Sequence, residues 1–506
     1  MYFKGYGLQS FCMKKNTKIT TDKTFQLQKT VDDLTLQINI LIGRVEVHTL
    51  EIIKMKEENS LLREENKRLK DIITKNSSNS SKPPSTDIGK KKKNNSRTNS
   101  GRKPGGQPGH SGSNLVQVKK ADKTEILIPD ICTCGYIFNG LEKTSNPETR
   151  QVFDIPEPKI EVTEYISAVH ECPCCNGKIK REFPDSVKGH VQYGNRLKGF
   201  AVYLMNYQLL PYKRTADLFE NLYNMPLSQG TLNNILLDYS DRLDIPIQLI
   251  KTHIINSDTV HFDESGFYSE GRRHWIHVAS TGFFTFYHYH ESRGLEALKD
   301  AGILDYFKGT AVHDYWSAYY KYQDCSHSLC NAHHLRDLQG IYDSTKLEWA
   351  KDMKSLLTEM KIEVDNAKSE DKTFLSTKTC NNLVDKFNKL IQFGYQSTPL
   401  PKIKKKGTRG KQKRGKALCL LDRFSKRSEE ILDFIFDFSK PFDNNQAERD
   451  IRMTKVKQKI SGTFRNSKMA EVFCRIRSFI STAIKQSENV LQAIAGIYDN
   501  KIFLLQ

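Results

Sequence analysis

The sequence predicts a multidomain α+β protein. It reads as an N-terminal coiled coil, a small β-rich cysteine-bearing module, a helical region and a mixed α/β core with a helical insertion. Three observations predict this. Apolar residues recur every seven positions near the N-terminus, and five of the 11 cysteines fall in two tight groups. Strand-like runs then alternate with helical ones through the second half.

The bulk properties set the frame. The 506 residues carry a net charge of +19 and are 38% hydrophobic, with a mean hydropathy of −0.58. Low hydropathy over this length implies long polar segments beside a true core, and the charge implies a polyanionic partner. No apolar run reaches the length of a membrane span, and the first residues (MYFKGYGLQSFCMKKNTKIT) lack the uninterrupted apolar stretch of a signal peptide. Clustered cysteines suit a reducing cytoplasm and a bound metal rather than a secreted disulfide framework.

Residues 24–74 carry the heptads. One column reads Leu27, Leu34, Leu41, His48, Met55, Leu62, Leu69, and the other Val31, Ile38, Val45, Ile52, Asn59, Asn66, Ile73. Leu in one column and mostly β-branched residues in the other favour a parallel dimer, with the two Asn fixing register. The competing reading is one long helix packed on its own domain. Residues 75–114 form a linker rich in Ser, Asn, Pro, Gly and Lys, with a basic run at Lys90–Lys93 followed by Arg97, Arg102 and Lys103. It is a passive tether, or a segment that lies along a phosphate backbone.

Residues 115–182 hold the cysteines between short alternating runs such as EILIPD and KIEVTEYISAV. Tetrahedral zinc takes four thiolate or imidazole ligands on paired turns. Cys132 and Cys134 supply one pair and Cys172 and Cys175 the other, with Cys174 and His170 as replacements and unligated cysteines as the alternative. Residues 187–256 read as helices, and within them RTADLFENLY, NMPLSQG and TLNNILLDYSDRL read as helix, turn, helix, the second capped by Ser228. That pattern suits a major-groove reader or a plain bundle.

The core spans 257–485, with a helical insertion at 341–440 and a C-terminal helix or tail at 486–506. TVHFDESGF, HWIHVAST and FFTFYHYHES read as strands, RGLEALKDAGIL as a helix and GTAVHD as another strand. Asp263 and Asp314 are placed at strand ends, and Glu448 on a helix that Asp443 or Asn444 caps. Two such acids on neighbouring strands and a third on a helix can meet and hold two divalent metal ions. Asp258, Glu264 and Glu291 are the nearest decoys. Arg449, Arg452, Lys455 and Lys457 follow Glu448 and suit contacts to DNA phosphates, or form a solvated helical face; the run 402–416 holds nine Lys or Arg and no acid. Cys330, His333 and His334 in LCNAHHLRDL form a further polar knot. It reads as hydrogen-bonding support near the metal, as helix-start residues, or weakly as a Cys/His nucleophile.

The whole order resembles transposases of the insertion sequence 66 family over residues 25–500. The resemblance rests on SSNSSKPPSTD, RKPGGQPGHSG, the paired cysteines, PLSQGTLNNIL, HFDESGF, VHDYWSAYY, CNAHHLRDL, DNNQAERDIR and SGTFRNSKMAEVFCRIRSFISTA. It implies an RNase H-like core with Asp263, Asp314 and Glu448 as DDE ligands, and Mg-dependent cleavage and strand transfer at mobile-element ends. It further implies a structural zinc, multimerisation through the heptads, and work on DNA at the nucleoid of a prokaryotic cell. The C-x-C spacing and the first twenty residues depart from the family pattern. The rival readings are a non-catalytic zinc-containing DNA-binding protein and a metal-dependent nuclease without joining activity.

Overall fold

The computed structural model describes residues 9–76, 79–80, 115–141, 148–400 and 414–503. Most of the 75–114 linker and of the 402–416 basic run lies outside these. The chain divides into two units: Met1–Ile88 with Arg336–Lys351, and Gly89–Leu335 with Asp352–Gln506.

The first unit is dominated by helix α1 (Gln9–Thr74), 66 residues long. Its heptad side chains are exposed, Leu34 at 53% and Leu41 at 57%. Beyond the helix, the Asn79 side-chain amide donates to Asp343 at 3.1 Å. Gly340 is needed at that contact, because a Cβ there would lie 2.5 Å from the Asn79 carbonyl oxygen.

In the second unit the cysteine region is less regular than its alternating sequence predicts. Strands β1 (Val169–Glu171) and β2 (Lys178–Lys180) form one short antiparallel hairpin. EILIPD stays outside regular strands, and of KIEVTEYISAV only the final Val169 enters one. Ile126, Leu127, Val162 and Ile166 remain exposed, so the alternation has no apolar layer to face.

Helices α2 (Asn195–Val202), α3 (Tyr212–Tyr223), α4 (Gln229–Asp241) and α5 (Asp244–Ile255) follow. The predicted cap is present: the Ser228 hydroxyl accepts the Thr231 N–H at 2.9 Å. Asn224, at φ 49°, ends α3 in the left-handed conformation that a sharp helix exit requires.

Three strands then run as an antiparallel meander, β3 (Thr259–Ser269), β4 (Arg272–Ser280) and β5 (Thr285–His290). Glu270 and Gly271, at φ 52° and 74°, make the β3–β4 turn; two consecutive positive φ angles match the twist of a tight hairpin. After α6 (Leu295–Ala301), β6 (Thr310–His313) and β7 (Ser326–Leu329) return parallel to β3. The sheet order is β5-β4-β3-β6-β7. Strand β7 reads SHSL, too short and polar to stand out in the sequence.

The sheet is covered on both faces. Phe267, Ile276, Val278 and Tyr287 pack on α12 (Asn445–Ser461) and α13 (Ser467–Lys485) through Ala447, Ile451, Ala470 and Phe473. On the other face, Phe262, Ala279 and Phe286 join Ile250, Ile254, Leu298 and Phe307. The helix α14 (Val490–Tyr498) packs against α2. Between β7 and α12 come α7 (Asn331–Thr345), α8 (Glu348–Ser369), α9 (Thr377–Ser397), α10 (Lys416–Lys426) and α11 (Ser428–Phe436).

One acid in α11 gives a test of this packing. Burial pushes the Asp433 carboxyl from its ordinary 3.8 up to about 7, with the Ser328 hydroxyl opposing the shift. The folded chain therefore holds a proton there that the unfolded chain releases, so this group's contribution falls as pH rises through that window. Asp433→Asn should flatten the pH dependence of thermal melting between about pH 4 and 7. At pH 8 it should add on the order of 2 kcal/mol of stability. A variant less stable than the parent at pH 8 would contradict the burial argument.

Candidate active site and metal centres

Asp263 is not at the end of its strand, as its sequence neighbours predict, but in the middle of β3. The reason is that β3 continues beside β4 through Ser269 after β6 has stopped. Thr259, Val260 and His261 pair with Thr310, Ala311 and Val312. That register brings Asp263 level with Asp314, the first residue beyond β6. Asp263 lies on the sheet face that carries Val278 and Tyr287, the face α12 covers.

Helix α12 carries Glu448 in its first turn, near the helix's partial positive charge. Burial pushes the Asp263 carboxyl well above the usual carboxylate range, and the charges of Glu264, Asp314 and Glu448 push it further. The structure thus draws the three predicted acids into one electrostatic neighbourhood, with Glu264 as a fourth member that the sequence reading set aside.

The start of α12 is fixed by Asn444, 1% exposed. Its amide donates to the Phe262 carbonyl at 2.7 Å and its oxygen faces His261 Nδ1 at 2.9 Å. Its backbone N–H donates to Cys330 Sγ at 3.1 Å. Asp443 accepts the Asn445 N–H at 3.0 Å. These contacts tie the helix to the strand residue just before Asp263, and so set where Glu448 stands. Asp450, two residues on, is structural: it accepts from Ser280 at 2.6 Å and from Lys485 at 2.7 Å.

Cys330 and His333 close the other side. The Cys330 N–H donates to the His313 carbonyl at 3.0 Å, one residue before Asp314. His333 Nδ1 lies 3.6 Å from Glu448 Oε1. Among the described residues, Cys330, His333 and Glu448 are the set of possible metal ligands whose atoms all gather within 4.8 Å. The Asp263–Asp314–Glu448 trio is spread more widely. Burial, and then Glu448, push the Cys330 thiol up to about 12. It therefore stays protonated at neutral pH and is no nucleophile. Cys330 and His333 brace the ends of β6 and α12 instead.

The residue after Asp314 is strained. Tyr315 sits at φ 75°, costly for a bulky side chain. The Trp316 N–H donates to Asp314 Oδ1 at 3.1 Å. The helical insertion holds this loop: the Arg423 guanidinium lies 4.4 Å from the Tyr315 ring centroid, and Arg427 3.9 Å from that of Tyr320.

Of the cations after Glu448, Arg449, Arg452 and Lys455 are exposed. Lys457 is turned inward. Its ammonium lies 4.3 Å from the Phe464 ring centroid and donates to Ser461, and burial lowers its pKa to about 8.

The two cysteine pairs sit on matching tight turns. The Cys132 N–H donates to the Tyr136 carbonyl, and the Cys172 N–H to the Gly177 carbonyl. Gly135 at φ 91° and Asn176 at φ 57° turn each loop back. Backbone N–H groups of Cys134 lower the Cys132 thiol, and those of Cys174 and Cys175 lower the Cys172 thiol. Thiols lowered by backbone N–H groups on paired turns fit zinc. Across the described residues the pairs stay apart rather than closing into one four-sulfur set.

Residues 190–472, more than half of the chain, match the family model described as Transposase IS66 family. The chain belongs to that family. Residues 129–176 match the zinc-finger binding domain of transposase IS66, which supports a structural zinc at the cysteine turns of this IS66-family chain. Residues 27–116 match a family of unknown function, DUF6444. No curated protein matches the chain. Membership supports DNA as the partner. No described helix is long and apolar enough to cross a membrane.

Proposed function

We propose that this chain is a DDE transposase that cuts DNA at the ends of a mobile element and joins the freed ends to target DNA. The observation that carries this reading is the shared electrostatics of Asp263, Asp314 and Glu448, which raises the Asp263 carboxyl in a site braced from three sides. Clustered acids that repel one another are relieved by a divalent cation, and their oxygens are hard donors suited to magnesium. The sheet order β5-β4-β3-β6-β7, with an antiparallel meander and two parallel strands, supports an RNase H-like core.

In this reading Asp263, Asp314 and Glu448 would hold magnesium, with manganese as a substitute. When bound, two such ions supply Lewis acidity for the attacking oxygen and offset charge on the leaving one. The protein's own groups position the DNA. Arg449, Arg452 and Lys455 neutralise phosphates, and the 3′-hydroxyl of the cut strand attacks a target phosphorus in line, forming one phosphodiester as the target's own P–O3′ bond breaks and its 3′-oxygen leaves as a hydroxyl. Cys330 and His333 keep Glu448 in register with Asp314. The α3–α4 pair reads DNA, and α1 pairs with a second copy.

The test is a cleavage and joining assay with magnesium on a duplex that carries the ends flanking the coding region. Cutting followed by joining is expected. Cutting alone would leave a nuclease, and binding without cutting would leave a DNA-binding protein with an inert core.

The zinc assignment has its own test. Metal analysis should find about one zinc per chain, and Cys172→Ser should lose it. Retention of full zinc by that variant would move the site elsewhere.

A further inference from the structure

On the sheet face opposite α12, the face that carries Glu264, stands a row of side chains that the reading above does not use. Strand β4 sets Arg273 and Trp275 on one face, opposite Tyr268 and Gly266 of β3. The Arg273 guanidinium lies 4.6 Å from the Trp275 ring centroid. Arg293 lies 5.2 Å from the same ring and 4.6 Å from the ring of Trp316. Trp316 is two residues beyond Asp314, so the row reaches the loop that carries Asp314.

Glu264 anchors Arg293. The guanidinium Nε donates to Glu264 Oε1 at 2.8 Å, and Nη2 donates to the same oxygen. The Tyr319 hydroxyl donates to Oε2 at 2.9 Å. The Glu264 side chain is 2% exposed and that of Arg293 39%. A buried carboxylate thus holds one edge of a guanidinium whose other edge faces solvent, a pre-organised fork for an oxyanion.

Arg273 is exposed and has space because residue 266 is glycine, where a Cβ would lie 2.6 Å from Arg273 Nε. The Lys455 ammonium donates to the Gly266 carbonyl. Partial desolvation of its stem, and then the charge of Arg273, lower the pKa of the otherwise exposed Lys455.

We infer that Arg273 and Arg293, spaced by Trp275, form a binding track for consecutive phosphates of the DNA strand flanking the cleaved bond. Trp316 forms its wall beside Asp314. The inference rests on the transposase reading for its substrate, but its geometry is separate from the three acids. A DNA strand carries a phosphate about every 3.4 Å of axis, so two guanidinium groups within 5.2 Å of one ring suit near-neighbour phosphates. Arginines interleaved with aromatic rings are how single strands are gripped without sequence preference.

The test is the salt dependence of binding by the full chain to a random-sequence duplex with a single-stranded tail, measured without divalent metal. Arg273→Ala should lower the slope of log affinity against log salt by about one. The pair Arg293→Gln with Glu264→Gln, which leaves no buried charge unmatched, should lower it by a similar amount. Arg273 is exposed, so Arg273→Ala decides the question even if the double variant does not fold. A slope equal to that of the parent in folded Arg273→Ala would overturn the track. Because no metal is present, a chain that fails to cut DNA can still show the slope change. A chain that cuts and joins with unchanged slopes keeps its reaction and loses the track.

Discussion

Asp263→Asn should abolish DNA cutting while raising the melting temperature of the metal-free protein. Both effects have one cause. Burial and the charges of Glu264, Asp314 and Glu448 push the Asp263 carboxyl far up, so its ionised form is held against the preference of the fold. The folded state binds a proton there that the unfolded state releases above its ordinary value of 3.8. Stability from this group is therefore lost as pH rises from that value towards neutrality. An amide of the same size removes the repulsion, so the metal-free variant should melt above the parent at pH 7. The same amide is a poor magnesium ligand, so cutting should fall by at least about a thousandfold, or ~4 kcal/mol of transition-state stabilisation.

Three readouts separate this from general damage. Magnesium should raise the melting temperature of the parent but not of Asp263→Asn, since only a chain that binds the ion gains from it. Metal-free DNA binding should hold or tighten, because one negative charge has left the neighbourhood of the phosphates. The parent's advantage should lie in the rate of cutting. Cutting at the parental rate by Asp263→Asn would remove Asp263 from the chemistry, and a lowered melting temperature would remove the repulsion argument.

The strands around Asp263 and Asp314 were legible because their apolar content and the Glu270–Gly271 turn are local signals. The setting of Asp263 was not. HFDESGF looks like a strand running into a turn, whereas β3 continues because β4 pairs with it through Ser269. That pairing is non-local, and no feature around Ser265 reports it. Glu264 was passed over for a related reason: an acid beside an acid reads as solvated surface. Its partners Arg293 and Tyr319 come from 29 and 55 residues away. A sequence signal did exist in the aromatic run WSAYY after Asp314, which has too many large rings for a solvated loop. Asn444 and Cys330 show the same limit, since their bonds join residues 114 apart. The cysteine turns were legible from spacing, while the alternating runs around them misled, because alternation predicts strands only where an apolar layer waits.

The second large effect concerns α1. Replacing Leu34 and Leu41 together by Lys should convert an assembled protein into a monomer and abolish joining of paired ends, while leaving the catalytic unit folded. The helix exposes Leu27, Val31, Leu34, Ile38, Leu41 and Val45 along its two heptad columns. That much apolar surface on one helix in water is what a coiled-coil partner covers. Burying one Leu contributes about 1.5–3 kcal/mol, and a symmetric dimer buries each position twice. Two substitutions thus remove four buried side chains and place four like charges in the seam, enough to dissociate the assembly at micromolar concentration. Light scattering should report half the parental mass. Melting of the catalytic unit should be unchanged, since none of the substituted residues belongs to its clusters. Asn59→Leu makes the complementary case: a seam Asn fixes register at a cost, so its removal should tighten association while loosening the choice of oligomer. If the Leu34 and Leu41 double variant keeps the parental mass, the heptads do not hold the copies together, and the exposed columns must be covered by something other than a second α1.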